Sequence, residues 1–214
     1  PYWLGAWAIW LAPSGLPTKI TVRLPFVAML AAMLAGTWYA VFYMARQPNA
    51  QPVAFAFGGE ANPIDYARAL ADGGLLALIA TLGLAQFSHE TTPALTQLFS
   101  GTLVFFGLAA AYYRPNRAAL ALLIGLPGLA LSGAPATAIF YGSIVLLALL
   151  TPGMPLTEPR VRHRLIWVLA LALAITLALC WGLDLWRWRV APWRISWNDW
   201  RGVGNLFLWF TWPA

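Results

Sequence analysis

Ionisable side chains are scarce in this chain, so those bordering apolar runs are the first candidates for chemistry. His89 and Glu90 are adjacent, close an apolar stretch, and precede Thr91, Thr92 and Pro93. An imidazole beside a carboxylate can relay a proton, offer two metal ligands, or hydrogen-bond hydroxyl-rich molecules such as sugars. The same residues can also do no more than cap helices and face water. A second group interleaves cations with indoles: Trp186, Arg187, Trp188 and Arg189, then Trp193 and Arg194, Trp197, Trp200 and Arg201. Arginine forks grip phosphate through two parallel N–H bonds, and indoles settle at the level of lipid head groups. Read more simply, this segment is an aromatic belt with snorkelling arginines, and a lipid phosphate at that depth would satisfy both descriptions. Lys19 and Arg23 are four residues apart ahead of a long apolar run, where they can hold a phosphate or anchor the chain at an interface.

The remaining candidates are weaker. Glu60, Asp65 and Asp72 look like solvated residues or helix caps. His163 lies in a basic stretch and carries no assigned role. Cys180, the single cysteine, reads as a small buried hydrophobe and cannot form an internal disulfide. No glycine-rich phosphate loop, cysteine pair or His-Glu-x-x-His spacing is present in the sequence. No cofactor follows from the residues, and a divalent metal at His89 and Glu90 stays an open option.

The elements that must position these side chains are membrane helices. Hydrophobic residues make up 61% of the 214 and charged residues 9%, far from the roughly 25% charged content of a soluble domain. A span needs about 20 mainly apolar residues, because in hydrocarbon the backbone must close its hydrogen bonds within the helix. Tyr2 to Ala12 is too short and too rich in tryptophan for that, so residues 1–20 are expected to be an interfacial segment ending at Pro13-Ser14-Gly15. Spans are expected over Leu24–Met44, Gly74–Phe87 after an amphipathic lead at Ile64–Asp72, Ala94–Tyr113, Ala118–Leu131, Ala136–Leu150 and Leu165–Leu183. Residues 184–202 form the Trp/Arg segment, and a further helix starts near Val203. The fold class is therefore an all-α, polytopic transmembrane helical bundle of six to seven spans in one domain. The chain reads as truncated at both ends, with no cleavable targeting segment.

The formal charge of +6 is spread over the ends of apolar runs rather than gathered on one polar face. That pattern favours membrane lipids as partners and excludes nucleic acid. Arginines in short loops mark the cytoplasmic side. Placing Arg46, the Arg114/Arg117 turn and the Arg160/Arg162/Arg164 loop there gives a consistent alternation through six spans. Arg23, His89/Glu90 and the Trp/Arg segment then share the opposite face, where four arginines break the charge rule and a bound anion would explain them.

The order of these parts resembles a known family. Tyr2-Trp3, the Pro13-Ser14-Gly15 turn and Val22-Arg23-Leu24-Pro25 ahead of an alanine-rich span are similar to the protein O-mannosyltransferase-like membrane glycosyltransferases. That family includes the bacterial aminoarabinose transferase acting on lipid A. Arg114-Pro115-Asn116-Arg117 before Ala118–Gly133, and Trp209-Phe210-Thr211-Trp212-Pro213, resemble further parts of it. The chain departs from the family where Leu131-Ser132-Gly133 replaces a lysine-containing element, and along Gln47–Pro63. The resemblance implies transfer of a sugar from a polyprenyl-phosphate donor to a lipid or protein acceptor, at the periplasmic face of the bacterial inner membrane. It implies donor-phosphate binding by Lys19, Arg23, Arg187, Arg189 and Arg194, and sugar or metal contacts by His89 and Glu90. The main catalytic acid is expected in a loop ahead of Tyr2. A transporter or permease subunit, with polar residues Thr37, Thr81, Gln97, Ser100 and Thr176 marking its path, and a non-catalytic membrane scaffold are the alternatives.

Overall fold

The computed structural model describes residues 2–13, 15, 17–53, 61–81, 91–151, 159–186, 201–202 and 204–205. Among them are seven α-helices and no strand: α1 (Tyr2–Leu11), α2 (Thr18–Ala45), α3 (Pro63–Ile79), α4 (Pro93–Ala110), α5 (Pro115–Leu131), α6 (Pro135–Leu150) and α7 (Pro159–Gly182). A 3-10 turn at Pro48–Ala50 follows α2.

Proline sets most of these beginnings. It occupies the first helical position of α3, α4, α5, α6 and α7, where its missing N–H has no partner to lose and its fixed φ matches the helix. At α3 the side chain of Asn62 completes the start by accepting from the Ile64 N–H. Two ends are closed by left-handed residues. After α5, Gly133 has φ 95°, its N–H reaches the Ala130 carbonyl, and the Ala134 N–H reaches that of Leu129. After α7, Asp184 takes the same role at φ 49°, with its N–H on the Trp181 carbonyl and the Leu185 N–H on that of Cys180. Both are Schellman motifs, which satisfy carbonyls that the helix leaves orphaned.

Three helices, α2, α4 and α7, are long and apolar enough to cross a membrane. At 1.5 Å per residue they measure about 42, 27 and 36 Å, against a hydrocarbon core of about 30 Å. The apolar helices α5 and α6 have 17 and 16 residues and measure only about 25 Å each. Among the described residues, length and composition thus support three crossings, and α5 and α6 fall short of the expected independent spans by that measure. α7 shows the two requirements in one element. Leu165, Leu169, Ala172, Thr176 and Cys180 form its buried stripe. Trp167 and Trp181, 72% and 87% exposed near its two ends, stand where aromatic belts meet head groups.

Several boundaries differ from those expected. α2 begins at Thr18, so Lys19 and Arg23 lie within the helix and Pro25 sits inside it rather than in its first turn. Pro17 is what starts the element: its carbonyl accepts from the N–H groups of Ile20 and Thr21 and from the Thr21 hydroxyl. The amphipathic lead passes into the apolar helix through Gly73-Gly74 as expected, but α3 ends at Ile79 rather than near Phe87. Gly74 is the point of contact with α2, since a Cβ there would come 3.0 Å from a Val41 methyl. The basic stretch before Leu165 is partly helical, as α7 starts at Pro159.

Small residues let the central helices approach. A Cβ on Gly125 of α5 would meet the Ser100 carbonyl of α4 at 2.9 Å, and one on Gly107 of α4 would meet Leu122 at 2.9 Å and the Ala118 carbonyl at 3.2 Å. In a bilayer, where apolar surface gains nothing by leaving lipid, such close van der Waals packing is what joins helices. The main core, including Leu122, Leu126, Leu129, Val145, Leu149, Leu165 and Leu169, lies among α4 to α7 and takes in Ala40 and Tyr43 of α2. A smaller cluster of Phe26, Met33 and Leu95 joins α2 to α4.

Candidate functional site

The contacts along the helices fix their directions. Met33 packs by Leu95, Gly36 by Thr102 and Tyr43 by Phe106, so α2 and α4 are parallel. α5 is antiparallel to α4, since Gly107 meets Ala118 and Leu122 while Gln97 donates to the Ser132 carbonyl at 3.1 Å. α7 returns along α6, with Gly142 against Leu173 and Arg162 at the α6 C-terminus. Arg46, Arg114, Arg117 and the arginines opening α7 consequently lie at one end of the bundle. Lys19 and Arg23 lie towards the other.

At that other end, Lys19 and Arg23 are both exposed on α2, one helical turn apart. Between them Thr21 is buried and Val22 packs on Gly5 of α1, where a Cβ would come within 3.3 Å of it. The contact lays α1 against the start of α2 and turns its indoles outward: Trp3, Trp7 and Trp10 recur at i, i+4 and i+7 and are 74%, 61% and 83% exposed. Two like charges one turn apart repel by a few tenths of a kcal/mol on a helix surface. A shared anion reverses the sign of that interaction, and indoles beside it suit a head group with an apolar tail.

A groove of about 680 Å³ opens between α4 and α6 over a floor from α5. Leu98, Gly101, Phe105 and Ile144 line it, with Gln97 and Thr137 nearer the end shared with Lys19 and Arg23, and Tyr141 against Gly101. Its volume falls within the range of small-molecule sites.

His89, Glu90, Arg187, Arg189, Arg194 and Glu60 lie outside the described residues. Of the expected anion-binding set, the structure places Lys19 and Arg23 together on one face. Among the described residues no three His, Cys, Asp or Glu side chains gather to hold a metal.

Several residues have roles that spacing did not reveal. Arg162 donates to the carbonyls of Leu149 and of Thr151, the latter at 2.8 Å, so it closes the C-terminus of α6. Asp72 is no cap: it sits mid-helix, exposed, and accepts from the Trp38 indole N–H of α2 at 2.7 Å. Asp65, in the first turn of α3, pairs with Arg68 at 3.3 Å. Tyr113 donates its hydroxyl to the Arg46 carbonyl at 2.8 Å and lies 4.8 Å beneath the Arg46 guanidinium. Apart from the local Asp65–Arg68 pair, these partners are 11 to 67 residues apart in the chain, beyond any local pattern.

The polar residues expected to mark a transport path are mostly occupied at home. Thr81 donates to the Leu78 carbonyl, Thr176 to that of Ala172 and Gln97 to that of Ser132. Ser100 is buried where α4 crosses Gly128 of α5. Comparison of the chain with protein-family models, curated proteins and solved structures returned no match.

Proposed function

We propose that this chain belongs to a membrane protein that handles a phosphate-bearing lipid at the bundle end carrying Lys19 and Arg23. The observation behind this is the exposed Lys19/Arg23 pair set beside the exposed Trp3, Trp7 and Trp10 stripe. Cations one turn apart suit a phosphate, and the indoles suit its depth in the bilayer. The groove between α4 and α6 gives an apolar chain a place to lie.

The chemistry follows from the motif resemblance. We take it as transfer of a sugar from a polyprenyl-phosphate donor to a lipid or protein acceptor, at the periplasmic face of a bacterial inner membrane, with α5 and α6 as short crossings. Lys19 and Arg23 hold the donor phosphate and offset the charge that grows on it as the sugar leaves. Arg187, Arg189 and Arg194 join them in this role. His89 and Glu90 contact the sugar or a metal.

Two measurements test this in order. The full-length protein in vesicles is titrated with polyprenyl phosphate, and the Lys19→Gln/Arg23→Gln variant is expected to bind at least tenfold more weakly. Equal binding by variant and wild type removes the lipid-phosphate role from this face. The wild type is then given polyprenyl-phosphate sugars and acceptor lipids, with release of polyprenyl phosphate as the readout. Binding without any release overturns the transferase and leaves a lipid-binding protein.

A further inference from the structure

We infer that Arg46, Arg114 and Arg117 form a second anion site, at the end of the bundle away from Lys19 and Arg23, which takes the phosphate of an anionic membrane phospholipid. It stands independently of the chemistry proposed for the opposite end.

Arg46 is held in place. It is the C-cap residue of α2, with its N–H on the Phe42 carbonyl. Its own carbonyl accepts from the Tyr113 hydroxyl, and its guanidinium lies over the Tyr113 ring. That ring is fixed in turn, stacked on Tyr43 at 5.8 Å and met edge-on by Tyr112 at 4.6 Å. A guanidinium whose face rests on an aromatic ring keeps its edge N–H groups free for an oxygen ligand, and it loses little freedom on binding one. Arg114 is the next residue after Tyr113, and Arg117 follows in the first turn of α5; both are exposed. Tyr113 thus holds Arg46, at the end of α2, against the turn that carries Arg114 and leads to Arg117, so three arginines share one end of the bundle.

Two other cations at this end are engaged elsewhere: Arg162 binds the α6 carbonyls, and Arg68 pairs with Asp65 on the surface. The surroundings favour a lipid over a free ion. Met44, two residues before Arg46, and Leu120, one turn after Arg117, are exposed, so an anion bound there meets apolar surface. Tyr112 and Tyr113, next to Arg114 in the chain, add aromatic surface of the kind that favours the head-group level of a bilayer. Basic pockets between membrane helices bind anionic head groups by this combination.

The test is retention of phosphatidylglycerol relative to phosphatidylcholine by the purified chain, read by native mass spectrometry after release from mixed vesicles. Arg46→Gln is expected to lower retention roughly tenfold, and Arg114→Gln/Arg117→Gln by a similar factor. Arg160→Gln, which removes the same charge from the first turn of α7, and Arg23→Gln are expected to change it little. Equal losses in Arg46→Gln and Arg160→Gln mean diffuse attraction and overturn the site. Full displacement by inorganic phosphate means a free-ion site and overturns the lipid assignment. Arg46→Lys guards against misfolding of the glutamine variant: it keeps the charge but lacks the fork, and retention equal to wild type also overturns the site.

Discussion

The two ends of this bundle hold their cations differently. At one end Arg162 is bound to the last carbonyls of α6 and Arg46 is strapped to Tyr113, so positive charge is tied into the packing even where, at Arg46, the N–H edge is left for a ligand. At the other, Lys19 and Arg23 stand exposed on α2 beside outward-facing tryptophans and make no described contact with the fold. Charge that closes helices is expected to matter for stability, and charge left exposed in a pair is expected to matter for ligands. The distinction cannot be drawn from residue type, since arginine serves at both ends.

The largest effect that would break this contrast lies in the packing that holds the strapped end together. Gly107→Leu forces a side chain into Leu122 and the Ala118 backbone, and it should cost about 3 kcal/mol, measured by thermal unfolding in detergent. Gly73→Leu, at an exposed position with open space around it, is the comparison and should leave the unfolding midpoint nearly unchanged. Next, Arg162→Ala strips two carbonyl partners from the end of α6 and should lose about 2 kcal/mol in the same assay. Lys19→Gln and Arg23→Gln should do the reverse: each weakens polyprenyl phosphate binding about tenfold while the unfolding midpoint stays put. A loss of stability equal to that of Arg162→Ala would erase the contrast between the two ends.

The smallest effect sharpens it. Tyr113→Phe keeps the ring under Arg46 and removes only the hydroxyl bond, for a loss of about 1 kcal/mol. Burial raises the Tyr113 phenol above its usual value of 10.0, against a smaller downward pull from Arg46. A raised value means that the folded state holds the proton more tightly. The stabilisation is therefore complete below pH 10.0 and is lost as pH rises through the elevated value, because the phenolate can no longer donate to the Arg46 carbonyl. Wild type and Tyr113→Phe should converge in stability on the alkaline side and differ at neutral pH.

Much of the architecture was legible because it is local. Apolar runs broken by proline and glycine mark the helices, and a proline at the first helical position places four of the starts within a few residues, while α7 begins at Pro159, ahead of the expected Leu165. Expectation and structure part at the ends of helices. Pro25 was expected to open α2, yet it lies inside a helix that begins at Pro17, whose carbonyl gathers two N–H groups and the Thr21 hydroxyl. The lead at Ile64–Asp72 was expected to pass into an apolar helix reaching Phe87, yet α3 ends at Ile79, with the Ala80 N–H on the Leu76 carbonyl. Of the candidate site, Lys19 and Arg23 share a face by simple helical spacing, so that pairing follows once residues 19–23 are helical.

By itself the sequence determined that this chain is helical and carries runs apolar enough to cross a membrane, since 61% hydrophobic residues in runs free of charge would in lipid leave the backbone only helices to satisfy its amides. It also determined where positive charge lies along the chain. Only the tertiary structure decided what each charge does. Arg162 became a helix cap, Arg46 became the cover of an aromatic stack, and Asp72 became the partner of Trp38, through contacts 11 to 67 residues apart. Those partners are brought together by helices packing across glycines, and no pattern within one helix records which helix will lie beside it.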